Sequence, residues 1–294
     1  MSLRLETLQV CRLAPKLLGE AADLVRGFVA DRLREDGSFA DRQGSADLYY
    51  TVFGLDCLCA LDTAVPTARV TPYLESFGGG EGLDLVHLSC LARAWAAVGT
   101  TPSRGAEMAR RVGDFRSADG GFASSPGAEQ GSVYDCFLAV SALEDLGAEI
   151  PDRDSLAASV LRYATPTGGF ANDLRLDAGT TPVTAAAVVL LPHLGRPAPG
   201  SAGSWLLGQR HRQGGFLAAP GAPMPDLLST ATALHALAAL DRPLQDLAEP
   251  CLDFLDSLWT NRGAFHGSWA DDDLDVEYTF YGLLALGHLS LWSR

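Results

Sequence analysis

Six stretches of this 294-residue chain are apolar on nearly every side when wound as helices: 51–61, 88–98, 136–146, 185–194, 230–240 and 279–289. A helix without a polar face has to be buried all round. Between them lie amphipathic segments at 17–33, 106–115, 155–163, 201–209 and 247–259, each with its charges on one side. The stretch 67–77 completes the alternation with the weakest signal. Apolar helices that alternate with amphipathic ones predict two layers, one inside the other. The pattern therefore predicts an all-α fold, an (α/α)6 toroid of six inner and six outer helices in a single domain over 1–294. An open helical solenoid shares the local signals, but inner helices this apolar cannot line a solvated concave face.

The joints between layers repeat as well. A Gly-Phe marker recurs at Gly37-Ser38-Phe39, Gly121-Phe122, Gly169-Phe170, Gly215-Phe216 and Gly263-Ala264-Phe265. From Phe122 onward the markers stand 48, 46 and 49 residues apart, the period of a repeat array. The first gap holds nearly two periods, and Gly78-Gly79-Gly80 is the vestige of the missing marker. After each marker comes a polar loop, then a residue whose side chain can accept from the free N–H groups of a first helical turn. These caps are Asp47, Asp84, Ser132, Thr181, Asp226 and Asp275. Pro182 suits a first helical position, where its missing N–H costs nothing.

A formal net charge of -14 repels phosphate backbones and anionic lipid, which argues against nucleic acid and membrane surfaces as partners. No run of 18 uncharged apolar residues is present, so no membrane span is expected, and the chain reads as cytoplasmic. Cys11, Cys57, Cys59, Cys90, Cys136 and Cys251 form no Cys-x-x-Cys pair and sit mostly in apolar runs, where a free thiol behaves as a small hydrophobe.

Two segments carry a resemblance. Asp47 to Leu55 and Asp275 to Leu283 resemble the D-x-F-H-T-x-F/Y-G-L segment of protein prenyltransferase β-subunits. Pro225 to Ala231 resembles the P-D-x-D-D-T-A segment of squalene-hopene-type terpene cyclases, and Gln209 with Gly214-Gly215-Phe216 is similar to their Gln/Gly/aromatic repeat. The resemblance spans about 20–292. It implies a toroid whose aromatic cavity holds a prenyl or terpenoid chain, hence a prenyl transferase or terpene cyclase type of enzyme. The alternative is a non-catalytic lipid-binding or scaffold module that kept the toroid. A helical-repeat α-subunit, which the resemblance implies, and a second copy of the chain are the candidate partners.

The family's catalytic motifs are not intact here. The resemblance implies a zinc held by Asp-x-Cys and a His in the next repeat, yet Tyr50 and Tyr278 stand at the His position and Asp135-Cys136 are adjacent. A different set of Asp84, His87 and Asp135 offers three nitrogen and oxygen ligands for zinc. The structural reading of the same residues is that Asp84 caps a helix and that Asp135 completes a Ser132-x-x-Asp135 capping box. The cyclases' acid falls on Leu228-Ser229, so it is absent there. Glu277, with Asp275 two residues before it, offers a carboxylate at the corresponding place in the last repeat. Burial beside like charge would keep one carboxyl protonated, as acid catalysis requires. Asp271-Asp272-Asp273 offers a magnesium-diphosphate reading without the D-D-x-x-D spacing. Asp135, Glu277 and Asp275 are thus the candidate catalytic residues.

The third residue after each cap, namely Tyr50, His87, Asp135, Thr184, Ser229 and Tyr278, is expected at the cavity mouth. Aromatic faces suit isoprene units and carbocations. Tyr50, His87, Tyr134, Tyr278, Phe53 and Tyr281 are therefore expected to contact the chain, with Trp269 as a lid or edge residue. A sugar-cleaving (α/α)6 barrel would need paired carboxylates and stacking Trp residues at the mouth.

Overall fold

The computed structural model describes residues 1–292. Two helices that the pattern does not predict come first, α1 (Leu3–Cys11) and the single-turn α2 (Pro15–Leu18). From there outer and inner helices alternate: α3 (Ala21–Asp31) and α4 (Leu48–Ala60), then α5 (Thr67–Glu75) and α6 (Leu85–Val98). The series continues with α7 (Gly105–Gly113) and α8 (Val133–Asp145), then α9 (Arg153–Leu161) and α10 (Thr181–His193). It ends with α11 (Gly200–Gly208) and α12 (Leu227–Ala239), then α13 (Gln245–Leu258) and α14 (Val276–Leu289). The weakly signalled outer helix of the second repeat is α5. Each inner helix packs on the next, and α14 packs on α4, so the ring closes.

Side-chain caps start five of the six inner helices: Asp47, Asp84, Ser132, Asp226 and Asp275 each accept from the backbone N–H three residues on. The sixth expectation is one residue off. Thr180, not Thr181, is the N-cap of α10, and it makes no side-chain cap bond. Pro182 takes the second helical position, and Thr181 turns its hydroxyl to the Leu217 carbonyl at 2.5 Å. Thr184 then matches not Tyr50 but its neighbour Thr51.

That neighbour explains the markers. Phe39, Phe122, Phe170 and Phe216 are fully buried. The Phe39, Phe170 and Phe216 N–H groups donate to Thr51, Thr184 and Thr230 Oγ1 at 2.9, 2.9 and 3.0 Å. Thr51 and Thr230 pass the bond to the carbonyls of Asp47 and Asp226. Cys136 Sγ replaces the threonine for Phe122. Each of these four markers thus pins a short loop to the second turn of an inner helix. In two repeats a short antiparallel pair of two-residue strands ties marker to cap: β1 (Phe39–Ala40) with β2 (Ala46–Asp47), and β3 (Phe216–Leu217) with β4 (Pro225–Asp226). In the last, β5 (Trp259–Thr260) with β6 (Ala264–Phe265) joins the end of the outer helix to the marker instead.

The marker glycines join each repeat to the next. Gly214 has φ +92°, and a Cβ there would lie 1.9 Å from the Pro250 carbonyl on the following outer helix. Gly263 has φ +82° and meets the Leu24 carbonyl of α3 in the same way, so the last repeat docks on the first. Only a residue without a Cβ permits both the conformation and the approach.

α1 lies across the far ends of the inner helices, packed on α14, α4, α8 and α10. Val10 passes so close to α14 that a Cβ on Gly287 would stand 2.1 Å from its carbonyl.

Candidate functional site

The ring encloses a cavity of about 270 Å³. Its wall follows one face of each helix. On α8 that face is Tyr134, Phe137, Ser141 and Asp145, a three-four-four spacing that keeps side chains on one side. α14 contributes Glu277, Phe280, Tyr281 and Leu284; α12 contributes Leu228, Thr232 and His235. Tyr49 comes from α4 and Arg93 from α6, while Leu3, Arg4 and Thr7 of α1 form the far end. From Tyr134 to Asp145 the helical rise gives a depth of about 16 Å.

The phase differs from the expectation by one residue. In four repeats the second residue after the cap, Tyr49, Tyr134, Leu228 or Glu277, borders the cavity, and the third, Tyr50, Asp135, Ser229 or Tyr278, does not. A shift of one position turns a side chain by about 100°. Of the sequence candidates, Tyr134, Tyr281 and Glu277 line the wall. Phe53 stands behind it, its ring 5.0 Å from Tyr49 and 5.7 Å from Tyr281.

The other candidates have structural partners. Asp275 is buried and holds the Arg42 guanidinium at 2.7 Å, besides capping α14. The same Arg42 binds Asp271 at 2.9 Å and Asp273 at 3.4 Å, so the acidic loop is already served by a cation. Tyr278 lies under Arg42, 5.6 Å from ring centroid to guanidinium carbon. Tyr50 is half-buried beside the same cluster, and burial with the Asp275 charge pushes its phenol up to about 12. Trp269 is no lid: its Nε1 donates to Ser257 on α13, and its ring meets Phe254 and His211 outside the ring of inner helices.

The proposed zinc set does not assemble. His87 Nδ1 lies 2.7 Å from Asp84 Oδ1, on a half-exposed pair at a helix start. Asp135 accepts from the Ser132 hydroxyl at 2.7 Å. Of the expected capping box only one half forms, the Asp135 N–H donating to Ser132 Oγ at 3.0 Å, because the Ser132 N–H goes to the Phe122 carbonyl instead. Among the described residues no group of three or more His, Cys, Asp or Glu side chains could hold a metal ion. The donors present therefore do not fit the zinc or magnesium that the resemblance implies.

Two polar regions interrupt the apolar wall. At the mouth, Tyr49 Oη donates to Glu277 Oε1 at 2.6 Å. Burial lifts the Glu277 carboxyl to about 6; the Tyr49 hydrogen bond lowers it, the Asp275 charge raises it and Arg42 lowers it. Tyr49 itself is pushed well above the usual phenol range by burial.

At the floor, Asp56 is fully buried between Arg4, whose Nη2 is 2.9 Å away, and Arg93, whose Nε is 2.6 Å away. Arg93 keeps 24% of its side-chain surface free although it lies deep among the inner helices, as a group bordering a void does. Its guanidinium carbon is 5.6 Å from the Phe53 ring centre and 5.3 Å from that of Phe280. Asp145 is raised to about 7 by burial, with Arg4 and Arg93 pulling down and Asp56 and Glu144 pushing up. His235 Nδ1 sits 3.0 Å from His288 Nε2, and burial lowers the two imidazoles to about 4 and about 3. Beneath the floor, Glu144 receives the Leu3 N–H at 2.9 Å and faces His193 at 2.7 Å, which in turn faces Glu6 on α1.

Asp56, Arg93, Asp145 and His235 are absent from the sequence candidates. Their signal was available: an ionisable group inside a helix apolar on all sides has to meet a partner or a cavity.

A family model for the prenyltransferase alpha-alpha toroid domain matches residues 16–88, 85–194 and 183–294. No curated protein matches the chain at significant sequence similarity. Solved structures resemble it in fold. A variant of the type II terpene cyclase MstE from Scytonema, in complex with geranylgeranyl dihydroxybenzoate as substrate, superposes with TM-score 0.64 at 14% identity, over 95% of this chain and 97% of that one. Candida albicans protein geranylgeranyltransferase-I complexed with GGPP gives 0.60 at 16% identity, over 98% and 83%. A protein from Actinoplanes gives 0.62 at 16% identity, over 92% and 98%. The family match runs through every inner helix and every Gly-Phe loop described above, and the chain belongs to the prenyltransferase alpha-alpha toroid family.

Proposed function

We propose that this toroid holds an isoprenoid chain in its central cavity and moves a proton at the mouth through Glu277. The observation that carries the reading is a part-buried carboxyl, raised to about 6, on the wall of an aromatic cavity. Two structural neighbours are recorded with isoprenoid compounds, geranylgeranyl dihydroxybenzoate and GGPP, which agrees with the ligand class. A cavity of about 270 Å³ is at the small end of ligand sites. At interior packing density it suits a chain of roughly ten to fifteen carbons.

The proton step balances on the chain's own residues. Protonated Glu277 gives its proton to an epoxide oxygen, the C–O bond opens, and the carboxylate remains hydrogen-bonded to Tyr49. An alkene carbon of the chain attacks the electron-poor carbon, and the neighbouring C–H gives its proton back to the Glu277 carboxylate, which completes an isomerisation and restores the acid. A carboxyl near 6 is too weak for an unstrained alkene and better matched to an epoxide oxygen.

The competing reading is a carrier that binds the same ligand without turnover. It is favoured by Arg93, whose fixed positive charge already occupies faces of Phe53 and Phe280 that would otherwise stabilise a carbocation. The two are separated by incubating the protein with 10,11-epoxyfarnesol and following cyclic isomers by mass spectrometry. Proton transfer predicts product, and a fall of about 100-fold in Glu277→Gln. Binding without product from the wild-type protein would leave the carrier.

A further inference from the structure

The mouth chemistry leaves the floor unexplained. Ser141 Oγ and Asp145 Oδ2 are buried without any hydrogen-bond partner, and both border the cavity. They stand four residues apart on α8 and so share a face. Arg93 uses Nε on Asp56, and among the described residues its two Nη groups have no hydrogen-bonded protein acceptor. Buried polar groups are nearly always satisfied, so two lapses at one end of one cavity, beside a guanidinium with free donors, point to a missing polar guest.

We propose that the cavity floor is a recognition site for the hydroxyl of an isoprenoid alcohol, held by Ser141, Asp145 and Arg93. This deepens the isoprenoid reading and rests on it. Charge selects the guest. Above about pH 7, where Asp145 is ionised, two arginines, Arg4 and Arg93, face two carboxylates, Asp56 and Asp145, so the floor is already neutral. A carboxylate or diphosphate would bring a buried charge without a counter-ion, which a low-dielectric site penalises heavily. A ketone accepts hydrogen bonds but cannot donate to Asp145. A hydroxyl donates to Asp145 Oδ2 and accepts from Ser141 or Arg93, which serves both kinds of orphan. With its hydroxyl at the floor, the chain runs along a wall of Phe137, Phe280 and Tyr281. Its far end then lies at the mouth beside Glu277, where the proton is moved.

The test compares three probes of the same carbon skeleton, farnesol, farnesene and farnesyl diphosphate, by calorimetric titration. Farnesol is expected to bind about tenfold more tightly than farnesene, the factor that one or two buried hydrogen bonds supply. The diphosphate is expected to bind more weakly than farnesol. Ser141→Ala is expected to lower farnesol affinity about three- to tenfold and to leave farnesene unchanged. The variant deletes an unpartnered hydroxyl, so it should melt no lower than wild type, and a melting curve checks that it is folded. Equal binding of alcohol and hydrocarbon would overturn the floor site and leave the isoprenoid cavity standing. So would an unchanged farnesol affinity in Ser141→Ala, or tighter binding of the diphosphate. Failure of all three probes to bind would overturn both.

Discussion

Asp145 and His235, the latter paired with buried His288, border the same cavity, and Asp145 and the histidine pair respond to pH with opposite sign. Asp145 holds its proton up to about 7 in the folded chain, against an ordinary 3.8 when unfolded. The folded state therefore binds more protons through that window, and stability is lost as pH rises through 7. Asp145→Asn removes the titration. It should be about 2 kcal/mol more stable than wild type at pH 8, a discounted value for a group that borders a void. The difference should vanish near pH 4. Urea unfolding at the two pH values measures it, and a constant difference would contradict the sign. The two imidazoles work the other way. Burial holds them neutral to about 4 and about 3, so their share of stability is present above 6.5 and drains away as pH falls. Glu277 follows Asp145 in sign, with a window from 4.5 to about 6.

At the scale of the helix and its loop, the repeat is held by a phenylalanine that fits where a glycine makes room. A Cβ on Gly54 would stand 2.2 Å from the Phe39 ring, and one on Gly282 would stand 2.4 Å from the Phe265 ring. Helix propensity alone favours alanine by about 1 kcal/mol at either site. Overpacking costs about 1–3 kcal/mol, and here the obstacle is a rigid, buried ring. Gly54→Ala and Gly282→Ala are therefore expected to lower stability by about 1–2 kcal/mol. Gly27 in α3 meets nothing within 4 Å, and Gly27→Ala should raise it slightly. Chemical denaturation of the three variants decides between packing and propensity. These units were legible in the sequence because caps and markers act locally: an Asp, three residues to an N–H, then an apolar run. The phase of each inner helix was not, because a helix apolar all round has no polar face to mark its direction. Only isolated groups such as Arg93 and His235 mark it, and they read as interruptions. α1 was hidden for a sharper reason: its charged Arg4 is buried on Asp56 while Leu5 is 44% exposed, the reverse of an amphipathic surface helix.

For the whole molecule the decisive event is closure, since a linear array of these repeats would leave α4 and α14 exposed on one side each. In a repeat array each unit depends mainly on its neighbours, so the seam where last meets first is the natural point of opening. Several contacts guard it besides the packing of α4 on α14 and the Tyr49–Glu277 hydrogen bond. Gly263 docks on α3, Cys57 Sγ reaches the Val276 carbonyl at 3.6 Å, and Arg42 of the first loop clasps Asp271 and buried Asp275 of the last. Of these the arginine is the most exposed to mutation, because its removal strands a carboxylate with no accessible surface. Breaking such a pair costs roughly 3 kcal/mol. Arg42→Ala should show that loss unevenly. Hydrogen exchange should quicken in α4 and α14, whose junction is loosened, while α8 and α10 on the opposite side keep their protection. Arg42→Lys should restore little, since one ammonium cannot span two carboxylates as the guanidinium fork does. An equal rise in exchange around all six inner helices would mean that the ring unfolds as one cooperative body and that the clasp is not its seam.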